Sequence, residues 1–277
     1  MAILGVPMEN GLGKTTGTAE APERVMQELR ELAERSLTES GNPPDTGMEM
    51  LNLDLSNLNE ASQRIEETCT RMLDTGRRPV ALGGDHSLSY ASVRAFVKKH
   101  PGAGIIVFDA HPDLMHAMNP PTHEDWLLTL LSEDVIQPSQ IYLLGIRSIH
   151  PSELKRLRGL RIKHMTMREM SREGLPEVTD TVMAYARTWP ALYISVDIDV
   201  LDPAFAPGTG YPEPGGMSTR ELLYCLGRFM LLQNFRMADL VEVNPRLDSH
   251  DLTAKAAARI LAELNDNSRV LIEGKDL

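Results

Sequence analysis

The stretch IIVFDAHPD, residues 105–113, decides the fold of this chain, because an apolar run ends there in a cluster of Asp and His. A short run without polar alternation is typical of a strand buried on both faces of a parallel sheet. Side chains two positions apart share a side of an extended backbone. We therefore expect Asp109, His111 and Asp113 to converge if the chain stays extended beyond the strand.

Two further stretches repeat the pattern: GGDH at 83–86 follows the apolar run 79–82, and DID at 197–199 follows the run 191–196. Together the three stretches offer four carboxylates and two imidazoles, at His86, Asp109, His111, Asp113, Asp197 and Asp199. Asp85 is not counted as a candidate ligand, since it is more simply interpreted as a hydrogen-bonded turn residue beside His86. Ionised aspartates are rarely buried unless they are paired or bind a metal.

The ligand types predict the metal and the chemistry. A mixed set of carboxylate oxygens and imidazole nitrogens favours two Mn²⁺ ions, ahead of Fe, Co or Zn. A purely structural role is the weaker interpretation, because carboxylates so arranged repel one another without a cation. Two ions close together lower the pKa of a water between them. The pattern is therefore typical of a hydrolase.

Strand and helix patterns alternate along nearly the whole chain, which predicts an α/β fold with a mostly parallel central sheet covered on both faces. Strands are predicted at 2–6, 48–53, 79–82, 105–108, 140–145, 161–164, 191–196 and 237–243, and helices at 24–35, 60–74, 87–99, 173–188, 218–232 and 253–264. Irregular loops are expected at 114–122 and 203–216. No composition shift marks a boundary, so we predict a single three-layer α/β/α domain over 1–277.

Composition limits the partners. A formal net charge of -11 argues against binding to nucleic acid or to anionic membranes. No apolar run approaches the roughly 20 residues that span a bilayer, and residues 1–7 do not resemble a signal peptide. Cys69 and Cys225 lie far from the metal motifs and are expected to be buried free thiols. We expect a cytoplasmic protein.

In order and content, the three motifs resemble the signatures of the arginase family, or ureohydrolases, which includes arginase, agmatinase, guanidinobutyrase and formiminoglutamase. The matching segments are 83–87, 109–113, 145–148, 195–203, 207–210 and 242–245. The resemblance covers most of the chain and implies an arginase-like domain that assembles as a homo-oligomer, a trimer or a hexamer. It also implies that a metal-bridging hydroxide attacks the guanidino carbon and releases urea.

The resemblance assigns roles to residues. It makes His86, Asp109, Asp113 and Asp197 the ligands of one manganese, and His111, Asp109, Asp197 and Asp199 those of the other. Asp113 would relay a proton to the leaving nitrogen. Glu242 resembles the acidic anchor of the guanidinium, which it can accept through paired hydrogen bonds. His123 is similar in placement to the proton-shuttling histidine, with a pKa near neutrality, and His116 is a rival for that role.

Departures from arginase bear on the substrate. Residues 115–122 replace the Ser and Asn that recognise the α-carboxylate in arginase, and His150 stands where arginase has an Asp for the α-ammonium. Glu153, by contrast, matches. The resemblance therefore implies that His150 and Glu153 contact the substrate, a small cationic guanidino compound that is agmatine-like or arginine-like. The departures favour agmatine or another guanidino compound over arginine itself.

Three alternatives stay open. A formiminoglutamase-type amidine hydrolase would release formamide. A metallophosphoesterase also uses Asp-x-His motifs, but its Gly-Asn-His element is missing here. A non-catalytic protein of the same fold would have no need of intact ligands.

Overall fold

A single sheet of eight parallel strands forms the centre of the molecule, in a computed structural model that describes residues 2–266. The strands are β1 (Ala2–Val6), β2 (Met48–Met50), β3 (Pro79–Gly83), β4 (Gly104–Phe108), β5 (Ile141–Ile146), β6 (Lys163–Thr166), β7 (Leu192–Asp197) and β8 (Phe235–Val241). Their order in the sheet is β2-β1-β3-β8-β7-β4-β5-β6, and every pairing is parallel. The predicted parallel sheet is confirmed.

Helices cover both faces of the sheet. Along the described chain they are α1 (Ala21–Arg35), α2 (Leu58–Asp74), α3 (Leu88–Lys99), α4 (Trp126–Ser132), α5 (Pro151–Leu160), α6 (Met167–Glu173), α7 (Leu175–Ala186), α8 (Thr219–Phe229) and α9 (Leu252–Leu264). Helices α1 and α6 to α9 share one apolar core, and α2 to α5 share the other. Ile106 faces the first core and its neighbour Val107 the second, as the two-residue period of a strand requires. The predicted three-layer fold is confirmed.

The strand order brings the candidate motifs together. Strands β3, β8, β7 and β4 are consecutive in the sheet, and each is followed by one of the polar segments. The carboxyl ends of parallel strands lie at one edge, which is where ligands bind in open α/β sheets. The sheet therefore places His86, Glu242, Asp197 and Asp109 side by side.

Several predicted boundaries were wrong. Three helices were missed, namely α4, α5 and α6, and β6 lies two residues later than predicted, at Lys163–Thr166. The strand predicted at 48–53 ends at Met50, since β2 is an edge strand paired on one side. The extent of the domain, 1–277, stays a prediction, and Met1 and residues 267–277 lie outside the described part. None of the described helices has the length and apolarity needed to cross a membrane.

Candidate metal centre and substrate cavity

The loop that carries His86 is hydrogen-bonded to the end of β1 on one side, and on the other Gly84 O accepts the N–H of Glu242 at 2.8 Å. The backbone N–H of Gly84 donates to Val6 O at 3.0 Å, and that of Asp85 donates to Met8 O at 3.0 Å. A Cβ atom at Gly84 would lie 1.8 Å from Met8 O, so this close approach requires glycine. Asp85 accepts the backbone N–H groups of Asn10 at 2.5 Å and Ser87 at 3.0 Å, as expected of a turn residue.

The second motif converges by a route that differs from the prediction. The strand does not stay extended: β4 ends at Phe108, and Asp113 adopts a left-handed backbone with φ of 52°. This conformation is uncommon outside glycine, although Asp tolerates it better than most residues. His111 N–H donates to Asp109 Oδ1 at 2.6 Å. A tight turn, rather than strand alternation, therefore brings these side chains together.

The third motif also leaves the extended conformation. Asp197 is the last residue of β7, and Asp199 lies in a short 3-10 helix at Ile198–Val200. Asp197 caps this helix by accepting Asp199 N–H at 2.8 Å. Asp199 in turn accepts the N–H of Ala110 at 3.0 Å, which links the third motif to the second.

The six side chains form one cluster. His86 Nδ1 lies 3.2 Å from Asp109 Oδ2, 3.0 Å from Asp113 Oδ2 and 3.2 Å from Asp197 Oδ2. His111 Nδ1 lies 2.9 Å from Asp199 Oδ2 and 3.5 Å from Asp109 Oδ1. The two oxygens of Asp109 therefore face opposite halves of the cluster.

The donors fit a pair of cations. Ligand atoms of His86, Asp109 and Asp113 lie within 4.8 Å of one another, and so do those of Asp109, His111 and Asp199. His86 Nδ1 and Asp109 Oδ2 are buried and, among the described residues, have no hydrogen-bond partner. A buried polar atom left without a partner is costly, and a coordinated cation would supply one. The nitrogen and oxygen donors suit a borderline divalent metal.

The electrostatics of the cluster without a cation indicate the same need. Burial would lower the pKa of His111, but the carboxylates of Asp199 and Asp109 outweigh burial and raise it to about 12. Burial also raises the pKa of Asp113, together with the charge of Asp109, to about 7. Burial and the charges of Asp199 and Asp109 raise the pKa of Asp197 well above its usual value. Protons thus offset the negative charge here, and a metal would displace them.

Buried partners of the candidate ligands were missed by sequence reasoning. His86 Nε2 contacts Ser195 Oγ at 2.9 Å, and Ser195 donates its hydroxyl to Asp239 Oδ1 at 2.7 Å. Trp126 Nε1 donates to Asp113 Oδ2 at 2.7 Å. Ser195 belongs to the matching segment 195–203, whereas Asp239 lies inside the largely apolar β8 and Trp126 begins a helix that was not predicted.

A cavity of about 220 Å³ opens onto the cluster. This volume is below the usual range for drug-sized ligands, about 300–1,000 Å³, and suits a small substrate. Its lining comprises His111, Asp113, Met115, His123, Glu124, Ser148, His150, Glu153, Asp197, Asp199, Tyr211 and Glu242. All the predicted catalytic and substrate-binding residues therefore lie at one cavity.

Glu242 has an oxygen available to a ligand. It follows β8 with a left-handed φ of 65° and is 4% exposed. Its Oε1 accepts the backbone N–H of His86 at 2.7 Å, while Oε2 is buried without a hydrogen-bond partner among the described residues. Burial and the charge of Asp85 raise the pKa of Glu242 well above its usual value. A cationic donor in the cavity would satisfy Oε2.

Of the two candidate shuttle histidines, His123 lies in the cavity wall and His116 does not. His123 is buried, its Nδ1 is 3.0 Å from Asn10 Nδ2, and its ring stacks on Tyr211. Without a metal, burial and the charge of His86 lower the pKa of His123 to about 4. The near-neutral pKa of the shuttle stays a prediction for the metal-bound protein. His116 is exposed, with Nδ1 3.0 Å from Arg156.

His150 is the N-cap residue of α5, and Glu153 lies in the first turn of that helix. His150 is exposed, and its Nδ1 accepts the N–H of Ser152 at 3.3 Å. Glu153 is buried, and its oxygens accept the N–H groups of Leu114 and His150, each at 3.0 Å. Both residues line the cavity, but Glu153 also fixes the loop that follows Asp113.

Comparisons with known proteins agree with this geometry. The profile of the Arginase family matches residues 1–265. The agmatinase of Bacillus subtilis (strain 168) is 31% identical over 278 residues, covering 95% of this chain and 89% of that protein. The arginase of Bacillus caldovelox is 29% identical over 293 residues, covering 95% and 97%. The crystal structure of formimidoylglutamase from Bacillus subtilis is similar with a TM-score of 0.86 and 27% identity, covering 95% and 85%.

The match spans the described fold and all three motifs, and the relatives are enzymes of one chemistry. The chain belongs to the arginase family, and like its relatives it is a hydrolase that acts on the C–N bonds of guanidino or amidino groups.

Proposed function

We propose that this chain binds two Mn²⁺ ions and hydrolyses the guanidino group of a small cationic compound, agmatine-like or arginine-like, with release of urea. The observation that carries the proposal is the free, buried Oε2 of Glu242 in the same cavity as the His and Asp cluster. A planar guanidinium presents paired N–H donors that match a carboxylate. Glu242 would therefore orient the guanidino carbon toward the cluster.

His86, Asp109, Asp113 and Asp197 would hold one ion, and His111, Asp109, Asp197 and Asp199 the other. When bound, such a pair supplies Lewis-acid activation of water at neutral pH. Asp113 lies in the cavity wall, where it can accept a proton and pass it to the leaving nitrogen. Asn10 uses its Oδ1 for Leu12 N–H, so its amide donates to His123 Nδ1 and leaves the Nε2–H of the imidazole available to the substrate.

A second candidate is an amidine hydrolase of the formiminoglutamase type, which would release formamide. It is favoured by the similarity to formimidoylglutamase, which is as extensive as the similarity to agmatinase. The same cluster and the same Glu242 would serve a formimino group, since an amidine also has planar N–H donors. The identity of the product decides between the two.

The proposal also includes a cytoplasmic homo-oligomer, a trimer or a hexamer. This part is supported by the family membership and by the acidic composition rather than by a contact within the chain.

The test is a manganese-loaded activity screen with agmatine, arginine, guanidinobutyrate and formiminoglutamate, in which urea and formamide are both measured. We expect urea from at least one guanidino compound. Asp109→Ala and Asp197→Ala should reduce the rate to the background, because each removes a carboxylate that the proposal assigns to both ions. Asp180→Ala is the matched control, since this exposed aspartate of α7 pairs with Arg228 at the surface, away from the cavity.

Two results would count against the proposal. Formamide from formiminoglutamate, with no urea from any guanidino compound, would replace it by the second candidate. No product from any compound, with bound manganese verified by elemental analysis, would contradict both.

A further inference from the structure

The outer part of the cavity has an acidic character. Beyond the candidate metal ligands and Glu242, its wall contains Met115, His123, Glu124, Ser148, His150, Glu153 and Tyr211. No lysine or arginine is present among the described residues that line it. Of the two glutamates in this group, Glu153 is buried and Glu124 is exposed, so the part of a substrate remote from the guanidinium meets the carboxylate of Glu124.

Glu124 differs from the other glutamates of the wall because its carboxylate accepts no hydrogen bond from the described residues. Both oxygens of Glu153 accept backbone N–H groups, and Glu242 Oε1 accepts the N–H of His86. The Glu124 side chain is 50% exposed, and its carboxylate lies 3.8 Å from His123 Nε2, beyond hydrogen-bond distance. In the described part of the chain no hydrogen bond to this carboxylate is found.

The backbone at Glu124 is nevertheless fixed. Its carbonyl accepts the N–H of Met115 at 2.9 Å, and its N–H donates to Thr122 Oγ1 at 3.3 Å. The carboxylate is thus presented at the mouth from an anchored position, which reduces the entropy lost when a ligand binds.

Lys14 Nζ lies 5.8 Å from the centroid of the Tyr211 ring but is not part of the cavity wall, and Arg147 and Arg156 are used elsewhere. Arg147, which follows β5, donates to backbone carbonyls such as Asp199 O at 2.6 Å and Glu213 O at 2.7 Å. Arg156 donates to Leu114 O at 2.6 Å and lies 3.0 Å from His116 on the outside. A substrate with a carboxylate tail would therefore meet Glu124 with no lysine or arginine in the described cavity wall.

We propose that Glu124 is a specificity-determining residue, which selects guanidino substrates that carry a primary ammonium at the end remote from the guanidinium. This inference rests on the proposed function, because it takes Glu242 as the anchor of the guanidinium. The pair formed with Glu124 is partly solvated, so its contribution is moderate and screened by salt.

The experiment compares kcat/KM for three guanidines with similar chains and different tails: agmatine (cationic), butylguanidine (neutral) and 4-guanidinobutyrate (anionic). In the manganese-loaded wild type we expect the order agmatine, butylguanidine, 4-guanidinobutyrate. Glu124→Gln should lower the ratio of agmatine to butylguanidine about tenfold, which corresponds to about 1.4 kcal/mol. It should change the value for butylguanidine less than about twofold, and the ratio should also fall with added salt. Glu124→Lys should favour 4-guanidinobutyrate over agmatine.

Glu34→Gln and Glu34→Lys are the matched controls, since Glu34 is exposed near the end of α1. These substitutions change the net charge by the same amounts at a residue that does not line the cavity. They should leave all three constants and their ratios unchanged. A control that shifts the ratio as strongly as Glu124→Gln would overturn the inference, because net charge alone would then explain the selection.

A parallel loss for all three compounds in Glu124→Gln would also overturn the inference, because Glu124 would then act through His123 rather than on the tail. If the wild type cleaves no guanidine, the proposed function fails, and the tail preference is measured by calorimetric binding of the same compounds. A ratio of dissociation constants that Glu124→Gln leaves unchanged overturns the inference there as well.

Discussion

At the scale of single residues, the hydrogen bonds around His86 determine which ring nitrogen is free to bind a metal. Ser195 uses its one hydroxyl hydrogen for Asp239, so its oxygen accepts from His86 Nε2–H. The lone pair of the neutral imidazole is therefore on Nδ1, the atom that faces the three carboxylates. Partners of this kind orient metal ligands and raise their basicity.

Ser195→Ala should therefore weaken Mn²⁺ binding about 10- to 100-fold, the range found when a hydrogen-bond partner of a metal ligand is removed. The dissociation constant is measured by titration calorimetry against a competing chelator. Ser92→Ala is the matched control, because Ser92 lies 2.9 Å from Tyr193 Oη in the same buried network without touching His86. Equal losses of affinity in both variants would indicate a general packing effect and contradict the assignment.

The sequence predicted the residues of the cluster better than their geometry. Clustered Asp and His after buried runs are visible in the sequence because ionised side chains in apolar surroundings need a compensating charge. The backbone that brings them together was not visible: Asp113 and Glu242 adopt left-handed conformations, and neither residue type reveals this. Asp239 could not be found either, since one polar residue in a buried strand has no periodic signal.

At the scale of elements, Arg147 links three segments around the site. Its backbone N–H donates to Ala110 O at 2.9 Å, in the loop after β4. Its guanidinium donates to Asp199 O at 2.6 Å and to Glu213 O at 2.7 Å, and it also reaches Gly145, Val200 and Leu201 carbonyls. One planar group with five donors thus holds the 3-10 helix of Asp199 and the loop 203–216 in place.

Arg147→Lys keeps the charge but loses the fork of donors, so several buried carbonyl groups lose their partners. We expect the free energy of unfolding to fall by about 2–3 kcal/mol. Metal affinity should fall too, because the turn that positions Asp199 is loosened. Denaturant unfolding and a metal titration measure the two effects, with Arg156→Lys as the matched control on the outer side of the cavity. A variant as stable as the wild type would show that Arg147 does not hold these segments.

Helices α4 and α5 lack some of the usual signals, whereas α6 was missed although Thr166 and Glu169 form a capping box at its start. Helix α4, Trp126–Ser132, is short and almost wholly apolar, so it shows no amphipathic period. Helix α5 is preceded by His150 rather than by a common N-cap residue, and it is followed by Arg161, with φ of 56°, instead of by glycine. The long strands and helices were predicted because their apolar patterns extend over enough residues to be distinctive.

At the scale of the whole molecule, the His and Asp cluster connects the loops that follow the central strands of the sheet. Strands β3, β7 and β4 are each followed by candidate ligands, and the outermost of these ligands, His86 and Asp199, are more than 100 residues apart in the sequence. Cations bound among them would be contacts between strands, and the unfolded chain cannot make such contacts with the same geometry. Metal binding is therefore expected to be coupled to the stability of the fold.

Manganese should accordingly raise the melting temperature. A ligand present at 100 times its dissociation constant stabilises the native state by about 2.7 kcal/mol per site. Because about 1 kcal/mol shifts the melting temperature of a domain of about 150–250 residues by about 2–4 °C, we expect an increase of at least about 5 °C, reversed by EDTA. Scanning calorimetry at several Mn²⁺ concentrations measures it, with Asp180→Asn as the control that keeps the response. The double variant Asp109→Asn/Asp199→Asn should lose the dependence on manganese while it remains folded. If the wild type melts at the same temperature with manganese and with EDTA, the cluster does not bind the metal in the folded protein.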